Sequence, residues 1–223
     1  IIYLIKYKLL QTNSSSKLSL KSLFSNSINL LLRTLLLNAC LLIGNRITSQ
    51  QGTNFIEVHT IMANIFIIIA YFLDGISHAA TAIIGKLNGS LNTKAIQLVA
   101  FRSVILNLII VSGFLLIIYI FSGFIISCYS AHSAILSLFL KQRTLFLVTM
   151  FLGSIAFTFD GIYIGLENTK LLRNVLIIAT IIGYGATLVL TDDYTIHGVW
   201  LALCIWMAFR SILPCIHFVK QYT

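Results

Sequence analysis

The 223-residue chain is 58% hydrophobic and only 9% charged, with a mean hydropathy of +0.97 and a formal net charge of +9. Soluble domains are about 25% charged, and a soluble fold of this composition would expose large apolar patches; a soluble enzyme is therefore excluded. The positive charge does not call for nucleic acid, because lysines and arginines gather at the ends of the apolar runs, as in cytoplasmic loops of membrane proteins.

Barrel strands alternate apolar and polar residues over about ten positions. Here the apolar runs are long and continuous, on the scale of the roughly 20 residues a helix needs to cross a bilayer. In lipid the backbone must satisfy its own hydrogen bonds, so helices are the expected element. The single proline, Pro214, lies near the end. Cys40, Cys128, Cys204 and Cys215 show no metal-binding spacing, and no Ser/His/Asp or Cys/His set suggests an enzyme.

The opening "IIYLIKYKLL" reads as the tail of a helix, not as a signal peptide, so the chain is expected to be a fragment. Residues 1–23 are then the end of a preceding helix and a serine-rich linker. Residues 24–220 form a six-helix bundle, with spans at about 24–47, 57–86, 98–127, 134–167, 171–191 and 196–219. Lys6, Lys8, Lys17, Lys21, Lys86, Lys94, Arg102, Lys170, Arg173 and Lys220 fall on one side. Arg46, Lys141 and Arg143, with Glu57, Asp192 and Asp193, fall on the other. The first side is expected to be cytoplasmic, with both ends of the chain there.

Two aspartates interrupt the apolar runs, Asp74 in "YFLDGIS" and Asp160 in "FTFDGIY". At 1.5 Å per residue they lie roughly 15 Å and roughly 10 Å from the cytoplasmic edge. A carboxylate at such depth costs roughly 2.5–3.5 kcal/mol on insertion scales, so each should face the bundle interior, water or a partner. Two readings are open: an exchangeable proton or cation site, or a fixed hydrogen-bond anchor. His78, four residues after Asp74 on the same face, is a relay or a neutral donor to it. Asn38 and Asn107 lie deep in the first and third spans and can bond between helices. Asp160, Asp74, His78, Asn38 and Asn107 are thus the candidate ion and substrate pathway. Gly75 and Gly161, each following an aspartate, allow close approach or a hinge. The charged residues Glu167, Lys170 and Arg173 read as solvated. The deep helix centres are expected to hold acids and almost no bases.

The paired stretches "FLDGISHAATAIIGKLNG" (72–89) and "FTFDGIYIGLENTKLLRN" (157–174) resemble the C-terminal half of the multidrug and toxic compound extrusion (MATE) transporters, specifically the DNA-damage-inducible protein F (DinF) subfamily. The family's eighth helix carries Asp-Gly, a small residue and Gly-x-x-x-Gly, matched by Asp74, Gly75, Ala79, Gly85 and Gly89. Its tenth helix is matched by Asp160, Gly161, Gly165, Lys170, Arg173 and Asn174. Stretches 31–47 and 200–212 are similar to the seventh and twelfth helices. The resemblance implies that Gly85 and Gly165 also serve packing. It implies an all-α, twelve-helix membrane protein of two six-helix lobes, of which this is the C-lobe, in a bacterial inner membrane. It implies antiport: H⁺ or Na⁺ enters as a small cationic or amphipathic compound leaves, with no cofactor beyond the coupling ion.

The expected partners are membrane lipid, an N-terminal lobe and that substrate. Thr81 stands where the family often has Glu, and Leu30–Ile43 holds no acid, which favours H⁺ over Na⁺. Protonation of a buried Asp would weaken its hold on a cationic drug and bias the packing of the lobe. The competing readings are a non-transporting remnant or assembly partner, and a lipid-linked sugar flippase of the same superfamily. A flippase should carry buried bases for phosphate.

Overall fold

The computed structural model describes residues 20–130, 132–191 and 195–222; the stub and most of the linker (1–19) lie outside them. The described residues contain helices and no strand. In order they are α1 (Leu20–Gln50), α2 (Thr53–Gly89), α3 (Thr93–Ser127), α4 (Ser133–Gly165), α5 (Thr169–Ile178), a π-helical turn (Ala179–Gly185), α6 (Ala186–Thr191) and α7 (Ile196–Tyr222). The α5–π–α6 run forms one rod, so the described residues make a bundle of six rods. Among them, α2, α3, α4 and α7 are long and apolar enough to cross a membrane, by length and composition.

The two tight turns that join α2 to α3 and α4 to α5 are built alike. In the first, Leu91 takes φ 55° and the Asn92 side chain accepts from the Ala95 amide at 3.1 Å, capping α3. In the second, Glu167 takes φ 58° and the Asn168 side chain accepts from the Leu171 amide at 3.3 Å, capping α5. Each is followed by Thr-Lys, so "NTK" recurs at residues 92–94 and 168–170. An asparagine cap satisfies one of the orphan amides of a helix start, and the left-handed residue before it reverses the chain.

α4 is the central rod. Its run "GSIAFTFDGIYIG" is almost wholly buried, because small residues let the neighbours come close. A Cβ on Gly161 would collide with the Ser77 carbonyl of α2, and one on Gly165 would lie 2.8 Å from the Thr81 carbonyl. Gly161-x-x-x-Gly165 therefore meets Ser77-x-x-x-Thr81 in a small-residue seam of the kind that brings membrane helices together. The Thr81 hydroxyl donates across it to the Gly161 carbonyl at 2.8 Å. Most of the apolar surface of α3 faces outward.

The interior is two apolar clusters with polar residues between them. The first holds Leu73, Val111, Phe157 and Met207, and the second holds Ala80, Ala100 and Phe159. Along α2, α3, α4 and α7 the change of cluster falls at buried polar residues: Ser77 on α2, Ser103 and Asn107 on α3, Thr158 and Asp160 on α4, Arg210 and Ser211 on α7. This polar layer positions the candidate site.

Candidate functional site

Asp160 and Arg210 join α4 to α7 in that layer. Arg210 Nη2 donates to Asp160 Oδ2 at 2.7 Å, and the two side chains are 12% and 2% exposed, respectively for the acid and the base. The arginine is held on several sides by its own helix and by α4. Its guanidinium lies 4.7 Å from the Trp206 ring centroid and 5.6 Å from that of Phe157. Its Nη1 reaches Met207 Sδ at 3.5 Å. Trp206 and Met207 precede Arg210 by four and three residues, so they share its helix face. Planar, weakly hydrated guanidinium suits a site that combines a carboxylate with aromatic faces. Pro214, four residues on, cannot donate to the Arg210 carbonyl, so the backbone ladder of α7 is broken beside the pair.

Asp160 and Gly161 are neighbours that face different helices. At 100° per residue, Gly161 meets α2 while Asp160 turns to α7. Thr158, 200° from Asp160, turns to α3. The Asn107 amide donates to Thr158 Oγ1 at 2.7 Å and lies 3.4 Å from the Leu73 carbonyl, while the Thr158 hydroxyl donates to the Ser154 carbonyl at 2.7 Å. Asn107 thus bonds α3 to α4 away from the ion pair. Asn107→Ala is expected to cost about 1–2 kcal/mol, from the interhelical bond and the space left behind. A thermal midpoint unchanged in detergent would contradict that role.

The other expected residues are not gathered at the pair. Asp74 is half-buried on α2, and Asn38 is exposed on α1. The His78 side chain is exposed, one helical turn after Asp74 on α2. Gly75 is corrected. It is exposed, a Cβ there would meet nothing within 4 Å, and α2 runs through it unbroken, so it neither packs nor bends. A Cβ built on Gly85 would lie 3.6 Å from the Gly165 carbonyl oxygen, an ordinary contact distance, so the two glycines face each other without needing the close approach seen at Gly161. Arg173, expected to be solvated, is half-buried and donates to Asn29 Oδ1 at 3.0 Å, tying α5 to α1.

The residue that sequence reasoning missed is Arg210. It contradicts the expectation that the helix centres carry almost no bases. Its signal was the same as that of the aspartates: one charge in an apolar run, "IWMAFRSIL".

The MatE family model matches residues 30–189. The chain belongs to the MatE family. The MatE fold is also what solved structures show: the chain superposes on the Vibrio cholerae MATE transporter VcmN in its bent form with TM-score 0.79 at 16% identity. It superposes on a point mutant of VcmN, an aspartate replaced by asparagine, with TM-score 0.80 at 15% identity. In both, 91% of this chain and 47% of the solved chain are covered, so this MatE chain spans about half the length of those transporters. No curated protein matches it. The all-helical membrane architecture read from the sequence is therefore that of one lobe-sized half of a MatE fold.

Proposed function

We propose that the chain is the C-lobe of a secondary exporter of the DinF branch, with both ends of the chain cytoplasmic. It would exchange H⁺, or Na⁺, for small cationic or amphipathic compounds by alternating access against an N-terminal lobe. The observation that carries this reading is the buried Asp160–Arg210 pair in the polar layer of a MatE lobe. Ionisable groups inside a membrane bundle mark ion and substrate paths, and alternating access needs an element with two arrangements.

The pair supplies such an element. An arginine does not give up its proton, so the lobe always holds one fixed positive charge. With Asp160 ionised, the pair is neutral and α4 is tied to α7. A proton or cation arriving at Asp160 competes with Arg210 for the same carboxylate. Once displaced, the guanidinium is a buried charge without that carboxylate, which costs several kcal/mol and drives the packing to change. The broken backbone ladder at Pro214 lets that part of α7 adjust. Arg210 does not favour the flippase reading, because its charge is already met by Asp160.

The experiment uses everted vesicles containing the full-length protein. A pH gradient alone is expected to drive accumulation of a fluorescent lipophilic cation, and a protonophore to abolish it. Accumulation that follows a Na⁺ gradient and ignores pH would replace H⁺ by Na⁺. Accumulation under neither gradient would contradict the transport reading and favour the non-transporting partner.

A further inference from the structure

At the end of the bundle away from the two tight turns, α3 and α4 hold another arginine. Arg143 of α4 is half-buried, and its guanidinium lies 4.3 Å from the centroid of the Tyr119 ring of α3. Its Nη1 donates to the Tyr119 carbonyl at 3.3 Å and reaches Ser122 Oγ at 3.4 Å. Between those two partners α3 leaves helical geometry, with φ −101° and ψ 21° at Phe121. A ring face under the guanidinium and two oxygens on one nitrogen fix its plane and its direction.

What these contacts leave over is a fork. Arginine carries five N–H donors in a rigid plane, of which Nη1 supplies two. Among the described residues, Nε and Nη2 of Arg143 have no hydrogen-bond partner, and its guanidinium has no ion pair. Nε–H and one N–H of Nη2 lie along the same edge, the one that takes two oxygens of a phosphate or carboxylate at once. The group cannot shed its charge by losing a proton. The seam therefore presents a permanent positive charge, already oriented, with its bidentate edge open.

Depth selects the anion. Roughly 20 residues of helix cross the hydrocarbon. Counted from Arg102 on α3 they end at Ser122; counted back from Gly165, where α4 stops short of Glu167 and Lys170, they end at Leu145. Both counts put Arg143 at the far edge of the hydrocarbon. Long side chains on a helix point back toward its start, which for α4 is toward the headgroups, and arginine extends that way readily. The surface around it is apolar: Ile117, Ile120, Phe121 and Phe124 of α3 are each at least half exposed. A lipid brings a phosphate to this depth and acyl chains to this surface, where a soluble anion would bring only the first. Lys141, exposed on the same turn of α4, adds positive charge.

We propose that Arg143 heads a lipid site. Its Nε–Nη2 edge binds the phosphodiester of an anionic phospholipid in the leaflet on the side of the α3–α4 connection, and the acyl chains lie along the outward face of α3. Anionic lipids are preferred because the ammonium of a zwitterionic headgroup competes for the same phosphate. The occupant is a component of the membrane and not an exported compound, so the proposal stands apart from the transport reading.

The full chain, purified in a non-ionic detergent, is titrated with phosphatidylglycerol, with phosphatidylcholine and with inorganic phosphate. Native mass spectrometry counts the bound lipids and gives their dissociation constants. Phosphatidylglycerol is expected to occupy the tightest site, ahead of phosphatidylcholine. Arg143→Gln should weaken that site at least about tenfold, the order of one charge-assisted hydrogen bond. Arg143→Lys keeps the charge and loses the fork, and should weaken it about threefold. It decides the matter if Arg143→Gln does not fold. Lys94→Gln removes the same charge from an exposed position at the other end of α3 and should leave the site unchanged.

A tightest site that is unchanged in the folded Arg143 variants, that weakens as much in Lys94→Gln, or that takes the two lipids equally would overturn the proposal. Displacement of the lipid by excess inorganic phosphate would make this a site for free anions and would overturn the assignment to lipid.

Discussion

Asp160→Asn is expected to lower the stability of the lobe by about 3–5 kcal/mol and to abolish gradient-driven export. Breaking a buried ion pair by removing one charge leaves the other uncompensated, which is costlier than replacing both. Arg210 cannot escape the cost by deprotonating, and at 3% exposure it has no route to water without a change of packing. The amide of Asn can still accept one bond from Nη2, which places the expected loss nearer the lower figure; Asp160→Ala should reach the upper one. Arg210→Lys keeps the charge but loses the planar face on Trp206 and Phe157, and should fall between the variant and the wild type. Thermal unfolding in detergent measures the first effect and the vesicle assay the second. Wild-type export by Asp160→Asn would reduce the pair to a structural tie.

The second large effect is steric. Gly161→Ala places a methyl against the Ser77 backbone, and backbone cannot rotate aside. Overpacking of a well-packed interior costs about 1–3 kcal/mol, and the Thr81 bond to the Gly161 carbonyl is lost if the helices part. Gly75→Ala is the matched control. It sits after the other aspartate, on the same kind of helix, with open space around it. Alanine is a better helix former than glycine by roughly 1 kcal/mol, so Gly75→Ala should be neutral to stabilising. Opposite signs for the two variants are expected. The same sign for both would mean that the α2–α4 seam is not as close as described.

These two glycines show what was legible in the sequence. The apolar runs announce membrane helices, because span length is set by the thickness of the bilayer and not by any partner. The intramembrane charges announce themselves for the same reason. What a helix face meets is decided by tertiary packing, and there identical local motifs diverge. Asp74-Gly75 and Asp160-Gly161 read alike, yet Gly161 lies in the close α2–α4 seam and Gly75 lies open. The Asp160–Arg210 pair spans 50 residues, and nothing in either segment names the other.

The π turn at Ala179–Gly185 was not read at all. Its wide ladder is compensated by tertiary bonds: Tyr184 to the Cys40 carbonyl at 2.8 Å and Trp206 to Thr180 at 3.3 Å. Such turns are seen once the partners are placed.

The most direct measurement is a double-mutant cycle on Asp160 and Arg210, with unfolding in detergent and export in vesicles read on the same four proteins. If the two charges form one buried unit, Asp160→Asn and Arg210→Gln should each be strongly destabilising. The double variant should then recover much of the loss, with a coupling of about 2 kcal/mol or more. It should still fail to export, since it holds no charge for an ion to compete for. Losses that simply add, or a neutral double variant that exports like the wild type, would contradict the claim that this pair is the exchangeable element of the lobe.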